Sequence, residues 1–403
     1  MAAARRQLAI VLVAGVALGC SATSTPPVGS AGTVTTSGSP PPGLAATATS
    51  AAPSPSSPLE PSPGAWRQGL PASARLTGPE IAGAFDLATD GRVLAWSSGT
   101  VDIDAPSLWW FDPASADRRL VYRSRTPGAI LANLAVRHGA VVFAEVTPRP
   151  DGSRTWRLIL LDAAGSAHVI DANDLPASQP GVLPMAAISD RGVLWATSHA
   201  GDGRAPRCEL RHVSLAASHL VVVAAGPCAR REIWYPRSDG PRFVYGTVDY
   251  PAEGGDERHV FLVEATGLDR PRRLDLDAEA SLPAILGDTV VWKAAPRDLN
   301  MFSPNVLVEL PLMPGSNARA LALPPTLTTP SIGTRFVVGE DTAGGSVTAW
   351  DRGLRRPVQI DQLGPGDPGY LSGTRLAGDL LAWFYTSSTV GGGTREIRWL
   401  RLG

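Results

Sequence analysis

The sequence predicts an all-β domain: a β-propeller of seven four-stranded antiparallel blades closed by an N-terminal strand, with six or eight blades as the alternatives. Three observations carry this expectation. A turn glycine followed by a short β-branched or aromatic run recurs seven times, at intervals of 45 to 53 residues. Further short strands between these copies bring the count to four per repeat, the pattern of propeller blades. The two ends of the array also complement each other, the first offering a spare strand and the last lacking one.

Ahead of the array, Arg5 and Arg6 precede an apolar run from Leu8 to Leu18 that ends in small residues and Cys20. A basic start, a short apolar core and a small-residue end make a secretory signal. The run is well short of the roughly 20 apolar residues that a spanning helix needs, so its removal on export is expected. The stretch Ala17-Leu18-Gly19-Cys20 resembles the lipobox of bacterial lipoproteins. That resemblance implies a signal peptide over residues 1–19 and a diacylglyceryl-modified Cys20 that anchors the mature chain to the outer face of the cell membrane. The alternative is an ordinary signal peptide with a coincidental cysteine.

From Ser21 to Gly64 the chain is Ala, Ser, Thr, Pro and Gly, interrupted only by Val28, Val34, Leu44, Leu59 and Glu60. Such a stretch buries too little apolar surface to offset the entropy of ordering it. Residues 20–64 are therefore expected to form a disordered tether. At that length a flexible chain spans on the order of 35 to 40 Å, enough to hold a folded domain clear of a lipid surface. Its Ser/Thr/Pro content also suits O-glycosylation.

Residues 65–403 contain no second linker and are read as one propeller domain. Asp90-Gly91 leads into Val93-Leu94-Ala95-Trp96, Gly139 into Val141-Val142-Phe143, Gly192 into Val193-Leu194-Trp195, and Gly240 into Phe243-Val244-Tyr245. Gly287 precedes Val290-Val291-Trp292, Gly333 precedes Phe336-Val337-Val338, and Gly378 precedes Leu380-Leu381-Ala382-Trp383. β-Branched and aromatic residues fit a pleated, buried strand, and glycine fits the turn that starts it. The next strand ends on a turn-forming polar residue, as in Leu108 to Asp112, Leu158 to Asp162 and Val347 to Asp351. There the side chain bonds to the local backbone. A fourth strand follows, as in Arg119 to Tyr122, Ala167 to Ile170, Arg273 to Leu276 and Pro357 to Ile360, and a strand such as Ala84 to Leu87 precedes each turn glycine.

The seventh repeat reaches only its third strand, Glu396 to Leu402, and Ala74-Arg75-Leu76-Thr77 is expected to supply the fourth and close the ring. Through turn glycines such as Asp90-Gly91 and strand endings such as Trp110-Phe111-Asp112, the segment from Ala65 to Gly403 resembles TolB-like and WD-repeat-like propellers of the bacterial cell envelope. The resemblance implies an architecture, which enzymes, scaffolds and sensors share, and no particular activity.

The formal charge is −1, or about −3 once Arg5 and Arg6 have left, which argues against a nucleic-acid partner. Lys293 is the single lysine among 36 basic residues, which points to a high-GC bacterial genome. In the third repeat Cys208 opens the third strand and Cys228 follows the fourth, placed symmetrically about the turn Ala216-Ala217-Ser218. Residues equidistant from a hairpin turn face each other, and an oxidising compartment would let these two form a disulfide.

The sequence contains no nucleophile elbow, paired-cysteine motif, zinc-protease motif, phosphate loop or calcium loop. No catalytic, cofactor or metal residue is assigned. His199, His212 and His219 are read as ordinary surface histidines, Asp249 to Glu257 as a solvated loop, and Arg270 to Arg273 as a solvated edge. Trp96, Trp195, Trp292 and Trp383 recur in register and are read as core. Two functional readings stand. One is a monomeric binding or scaffold module whose loop face engages a protein, peptide or glycan. The other is an extracytoplasmic hydrolase or lyase with carboxylates at the channel mouth. The lack of paired carboxylates in the sequence motifs favours the first, and the side chains that line the channel discriminate between them.

Overall fold

The structure, a computed structural model, describes residues 73–402 apart from 100–104, 176–182, 200–204, 216–218, 253–254, 276–278, 296–305, 342 and 388–393. The signal peptide, Cys20 and the expected tether lie outside the described residues.

The described chain is a ring of seven four-stranded antiparallel sheets. Blade one holds β2 (Ala84–Thr89), β3 (Leu94–Ser98), β4 (Ser107–Asp112) and β5 (Asp117–Arg123). Blade two holds β6 (Ile130–Arg137), β7 (Ala140–Pro148), β8 (Arg154–Leu161) and β9 (Ala167–Leu175). Blade three holds β10 (Met185–Ile188), β11 (Gly192–His199), β12 (Arg207–Ser214) and β13 (Leu220–Pro227). Blade four holds β14 (Arg231–Asp239), β15 (Arg242–Asp249), β16 (Glu257–Glu264) and β17 (Arg272–Arg273). Blade five holds β18 (Glu279–Leu286), β19 (Thr289–Ala295), β20 (Val306–Pro311) and β21 (Arg319–Ala320). Blade six holds β22 (Leu327–Ile332), β23 (Phe336–Asp341), β24 (Ser346–Asp351) and β25 (Arg356–Gln362). Blade seven joins β26 (Tyr370–Ala377), β27 (Leu380–Thr386) and β28 (Arg395–Arg401) to β1 (Ala74–Leu76), in the order β1-β28-β27-β26.

The expected closure is therefore present: Ala74 pairs with Trp399, Arg75 with Arg398 and Leu76 with Ile397. Each innermost strand touches those of the two flanking blades, and β26 touches β2. At this seam Gly91, at a φ of 89°, lies so close to blade seven that a Cβ would sit 2.8 Å from the Ala377 carbonyl oxygen. A short helix that sequence reading did not foresee, α1 (Pro79–Ala82), follows β1 and buries Ile81 completely. Arg118 of blade one holds this entry segment, pairing with Glu80 at 2.6 Å and donating to the Thr77 carbonyl at 3.0 Å.

Burial explains the sequence pattern. The second strand of each blade is packed on both faces by the neighbouring blades, so β3 and β27 read as near-continuous apolar runs, whereas the outer strand β5 is mostly exposed. Trp96, Trp195 and Trp383 are fully buried and Trp292 nearly so, as core residues. Burying one such side chain is worth roughly 4 to 6 kcal/mol as an upper figure, far more than an exposed stacking platform would contribute to the fold. The strand-end aspartates form the expected turns: Asp112 accepts from the Ala114 N–H, Asp162 from Ala164 and Ser166, and Asp351 from Gly353 and Leu354.

One clasp between blades recurs. Asp171 on β9 accepts from the Trp195 Nε1–H at 2.8 Å and pairs with Arg211 at 3.2 Å, both in blade three. Asp361 on β25 does the same across the next seam but three, taking Trp383 at 3.0 Å and Arg398 at 2.9 Å in blade seven. Blade one lacks the device, because β1 carries no carboxylate, and Trp96 Nε1 finds no acceptor among the described residues.

Two expectations are corrected. Of the fourth strand expected at Arg273 to Leu276, the described residues form only the two-residue β17, and Leu276 lies outside the described residues. Asp275 takes over the edge with its side chain, accepting from the Val260 N–H at 2.8 Å and ending the backbone ladder. The disulfide between Cys208 and Cys228 is present, with Cα atoms 4.9 Å apart, but the register places Gly226 opposite Cys208. The bond therefore runs diagonally.

Candidate functional site

The seven innermost strands surround a central cavity of about 350 Å³. Its wall is shaped by a repeated irregularity: six of the seven first-to-second strand pairs carry a register shift, and only blade three runs straight. An extra residue at a bulge re-aims side chains and leaves ladder groups unpaired. Here it places Asn133, Tyr235, Leu282 and Thr329 in left-handed backbone at φ of 44° to 57°, with Gly373 in blade seven at 62°. Such conformations cost a non-glycine residue on the order of 1 kcal/mol or more and concentrate at functional sites. Asn133, Tyr235 and Thr329 line the cavity.

The groups freed by the bulges are satisfied across the blade seams. Asp86 of blade one accepts from the Leu134 N–H of blade two at 2.9 Å, and Glu340 of blade six accepts from the Gly373 N–H of blade seven at 3.1 Å. Asn133 donates to the Pro184 carbonyl at 2.9 Å, tying blade two to blade three.

One row of the wall is fixed by register. Ala88 pairs with Ala95, Ala135 with Val142, Ala187 with Leu194, Arg237 with Val244, Ala284 with Val291, Ser331 with Val338 and Arg375 with Ala382. All seven residues in this row line the cavity. Five blades thus present alanine or serine, and blades four and seven, three apart in the ring, present arginine. Each arginine follows its bulge and donates Nη1–H to the carbonyl of the preceding residue, Arg237 to Pro236 and Arg375 to Thr374, both at 3.0 Å.

The electrostatics of this cluster are unbalanced. Arg375 lies 3.8 Å from Asp86, whereas Arg237 makes no ion pair among the described residues and rests over the Tyr235 ring, 6.0 Å from its centroid. Enclosure by the channel wall, with the charge of Arg375 across the channel, pushes the Arg237 guanidinium down to about 10. Enclosure also raises the Asp86 carboxyl above its ordinary value, against the pull of Arg375 and two backbone N–H groups, and it raises the Tyr235 hydroxyl.

At the end of the channel formed by the strand-one to strand-two turns, the polar groups are occupied in joining blades. Arg137 pairs with Asp190 at 2.9 Å and Asp239 at 3.1 Å, Asp90 accepts from the His138 N–H at 3.0 Å, and Asp239 accepts from the Gly287 N–H at 2.6 Å.

The residues singled out from sequence fall elsewhere. His212 is buried edge-on to Phe243, His199 packs edge-on to Trp156 on the opposite seam, and His219 is exposed, so the three do not converge. Among the described residues no three His, Cys, Asp or Glu side chains are grouped to hold a metal ion. Asp249 and Asp256 of the acidic loop are paired with Arg231 and Arg258. Arg270 is exposed and Arg273 bonds Asp275. Sequence reading missed Arg237 and Arg375, which look like any other arginine. The available signal was positional: with the repeats aligned on their second strands, two arginines interrupt a row of alanine and serine seven residues upstream.

No family model and no curated protein matches this chain. Solved structures do. An oligogalacturonate lyase in complex with manganese shares 14% identity at a TM-score of 0.50, over 77% of this chain and 86% of that one. The β-propeller domain of the Trilobed protease from Pyrococcus furiosus, described as having an open velcro topology, shares 10% identity at a TM-score of 0.53, over 79% and 95%. TolB from Acinetobacter baumannii also matches, with 15% identity and a TM-score of 0.45 over 68% and 65%. The fold and its channel define a seven-bladed β-propeller. Unlike the open velcro of the Trilobed protease domain, this ring is closed by its own first strand.

Proposed function

We propose that this protein is an exported lipoprotein, anchored through Cys20 to the outer face of the cell membrane, with residues 20–64 as a tether. Its propeller, residues 65–403, acts as a monomeric binding module for a protein, peptide or glycan. The observation that carries this reading is the composition of the channel. General acid–base hydrolysis or elimination by carboxylates needs two of them poised with different proton affinities. Asp86 is committed to a bulge, and Asp90 and Asp239 to turns, while the groups with donors to spare are arginines and a tyrosine, which recognise rather than cleave.

The test probes peptide and glycan arrays with the protein and examines the retained ligands by mass spectrometry. The expected result is retention without chemical change; a cleaved or unsaturated product would overturn the reading in favour of the hydrolase or lyase. In the same preparations an alkyne fatty-acid label should mark the wild type and be absent from Cys20→Ala, and equal label in both would remove the anchor from the proposal.

A further inference from the structure

We infer that the central channel is a binding site for a small organic monocarboxylate, held between Arg237 and Arg375. This rests on the reading of the propeller as a binding module and names a ligand class for it.

The first support is geometric. Two guanidinium groups come from blades three apart and reach into a space that the other five blades keep open with alanine and serine. Each arginine uses one N–H on the carbonyl just before it, which fixes the head group; Arg375 also lies 3.8 Å from Asp86, whereas the remaining Arg237 donors have no ion-pair partner among the described residues. A planar fork matches a carboxylate with two parallel hydrogen bonds. At about 350 Å³ the space is at the small end of ligand pockets and has room for an organic acid.

The second support is charge. Six charged side chains line the cavity, but Arg137, Asp90 and Asp239 are engaged with one another, with Asp190 and with backbone at the turn end; at the level of the bulges two arginines face Asp86 alone, a local excess of one positive charge that a single negative charge would balance. A dianion such as sulfate would overshoot it. Two like charges facing each other across the channel disfavour one another, and an anion between them relieves that cost, consistent with the depressed Arg237. The Tyr235 hydroxyl is bonded to no other described group and is available to the same ligand.

The experiment is calorimetric titration of the full-length protein with acetate, benzoate and gluconate, with sorbitol as the neutral counterpart of gluconate and sulfate as the dianion. At least one monocarboxylate should bind, sorbitol should not, and sulfate should bind more weakly. Arg237→Gln and Arg375→Gln should each weaken binding roughly tenfold or more, the loss expected when charge-assisted hydrogen bonds are removed. Arg237→Lys, which keeps the charge without the fork, should recover part of it. Unchanged thermal melting establishes that each variant is folded, and Asp86→Asn, by removing the competing negative charge, should tighten binding. Overturning results are that none of the three acids binds, that sorbitol binds as well as gluconate, or that folded arginine variants bind as the wild type does. Any of these removes the channel site while leaving the array experiment to decide the binding-module reading independently.

Discussion

At the scale of single residues, the clasp aspartate Asp171 ties this fold to pH. Burial alone would raise the Asp171 carboxyl, but His199 and Trp195 beside it, with the charge of Arg211, outweigh burial and hold it below the ordinary range. Asp351 is held down in the same way, chiefly by Arg335, and Asp190 by Arg137. A carboxyl whose folded value lies below its unfolded value of about 3.9 contributes stability that is present above that value. Between the two values the unfolded chain binds more protons, so stability falls as pH drops through the window. Asp86 and Glu232 are raised and act with the opposite sign, losing their contribution as pH rises through their folded values. Urea unfolding midpoints measured from pH 6 to pH 3 should therefore decline below about pH 4. Asp171→Asn, which keeps an acceptor for the Trp195 indole but does not titrate, should be less stable at neutral pH and show a shallower decline. A variant whose midpoints parallel the wild type at every pH would show that Asp171 is not one of the groups responsible.

At the scale of elements, the disulfide stitches the outermost hairpin of blade three, whose exposed Leu220 and Val222 lie on an edge strand. Linking cysteines 20 residues apart restricts the unfolded chain, and replacing both with serine should cost about 3 kcal/mol, read as a lower urea midpoint with a slope at least as steep, because the unlinked chain exposes more surface. Recovery of both cysteines as alkylatable thiols from oxidised protein would deny the bond. Its pairing was legible in the sequence, its diagonal register was not, because a shift of two residues alters no apolar pattern. The same contrast holds through the blades. The second strands were legible because both their faces are buried, so that runs such as Val141 to Phe143 must be apolar throughout. The two-residue outer strands β17 and β21 were not, since an edge has few contacts to impose a pattern and Asp275 can replace a backbone partner with its side chain. The bulges also left no trace, since Asn133, Tyr235, Leu282 and Thr329 adopt a conformation that sequence reading reserves for glycine. The candidate site is built on those bulges, which is why the fold was readable and the site was not.

At the scale of the whole molecule, closure depends on β1. Its three pairs with β28, the half-buried Leu76 and the buried Ile81 just beyond it seal the edge of blade seven, which would otherwise present unpaired backbone to other chains. A protein beginning at Gly64 should melt as the full chain does, whereas one beginning at Gly78 should melt several degrees lower and associate; equal melting and a monomeric state for both would refute the role of β1. The closure also sets an order of events. A chain is made amino end first, so β1 is among the first segments of the domain to appear, yet its partner β28 is the last strand of the ring. Blades one to six can assemble as they appear, but β1 must wait through the passage of more than 300 residues before β28 arrives. Until then the domain is an open arc with two exposed edges, and the pairing of β28 with β1 converts it into a ring.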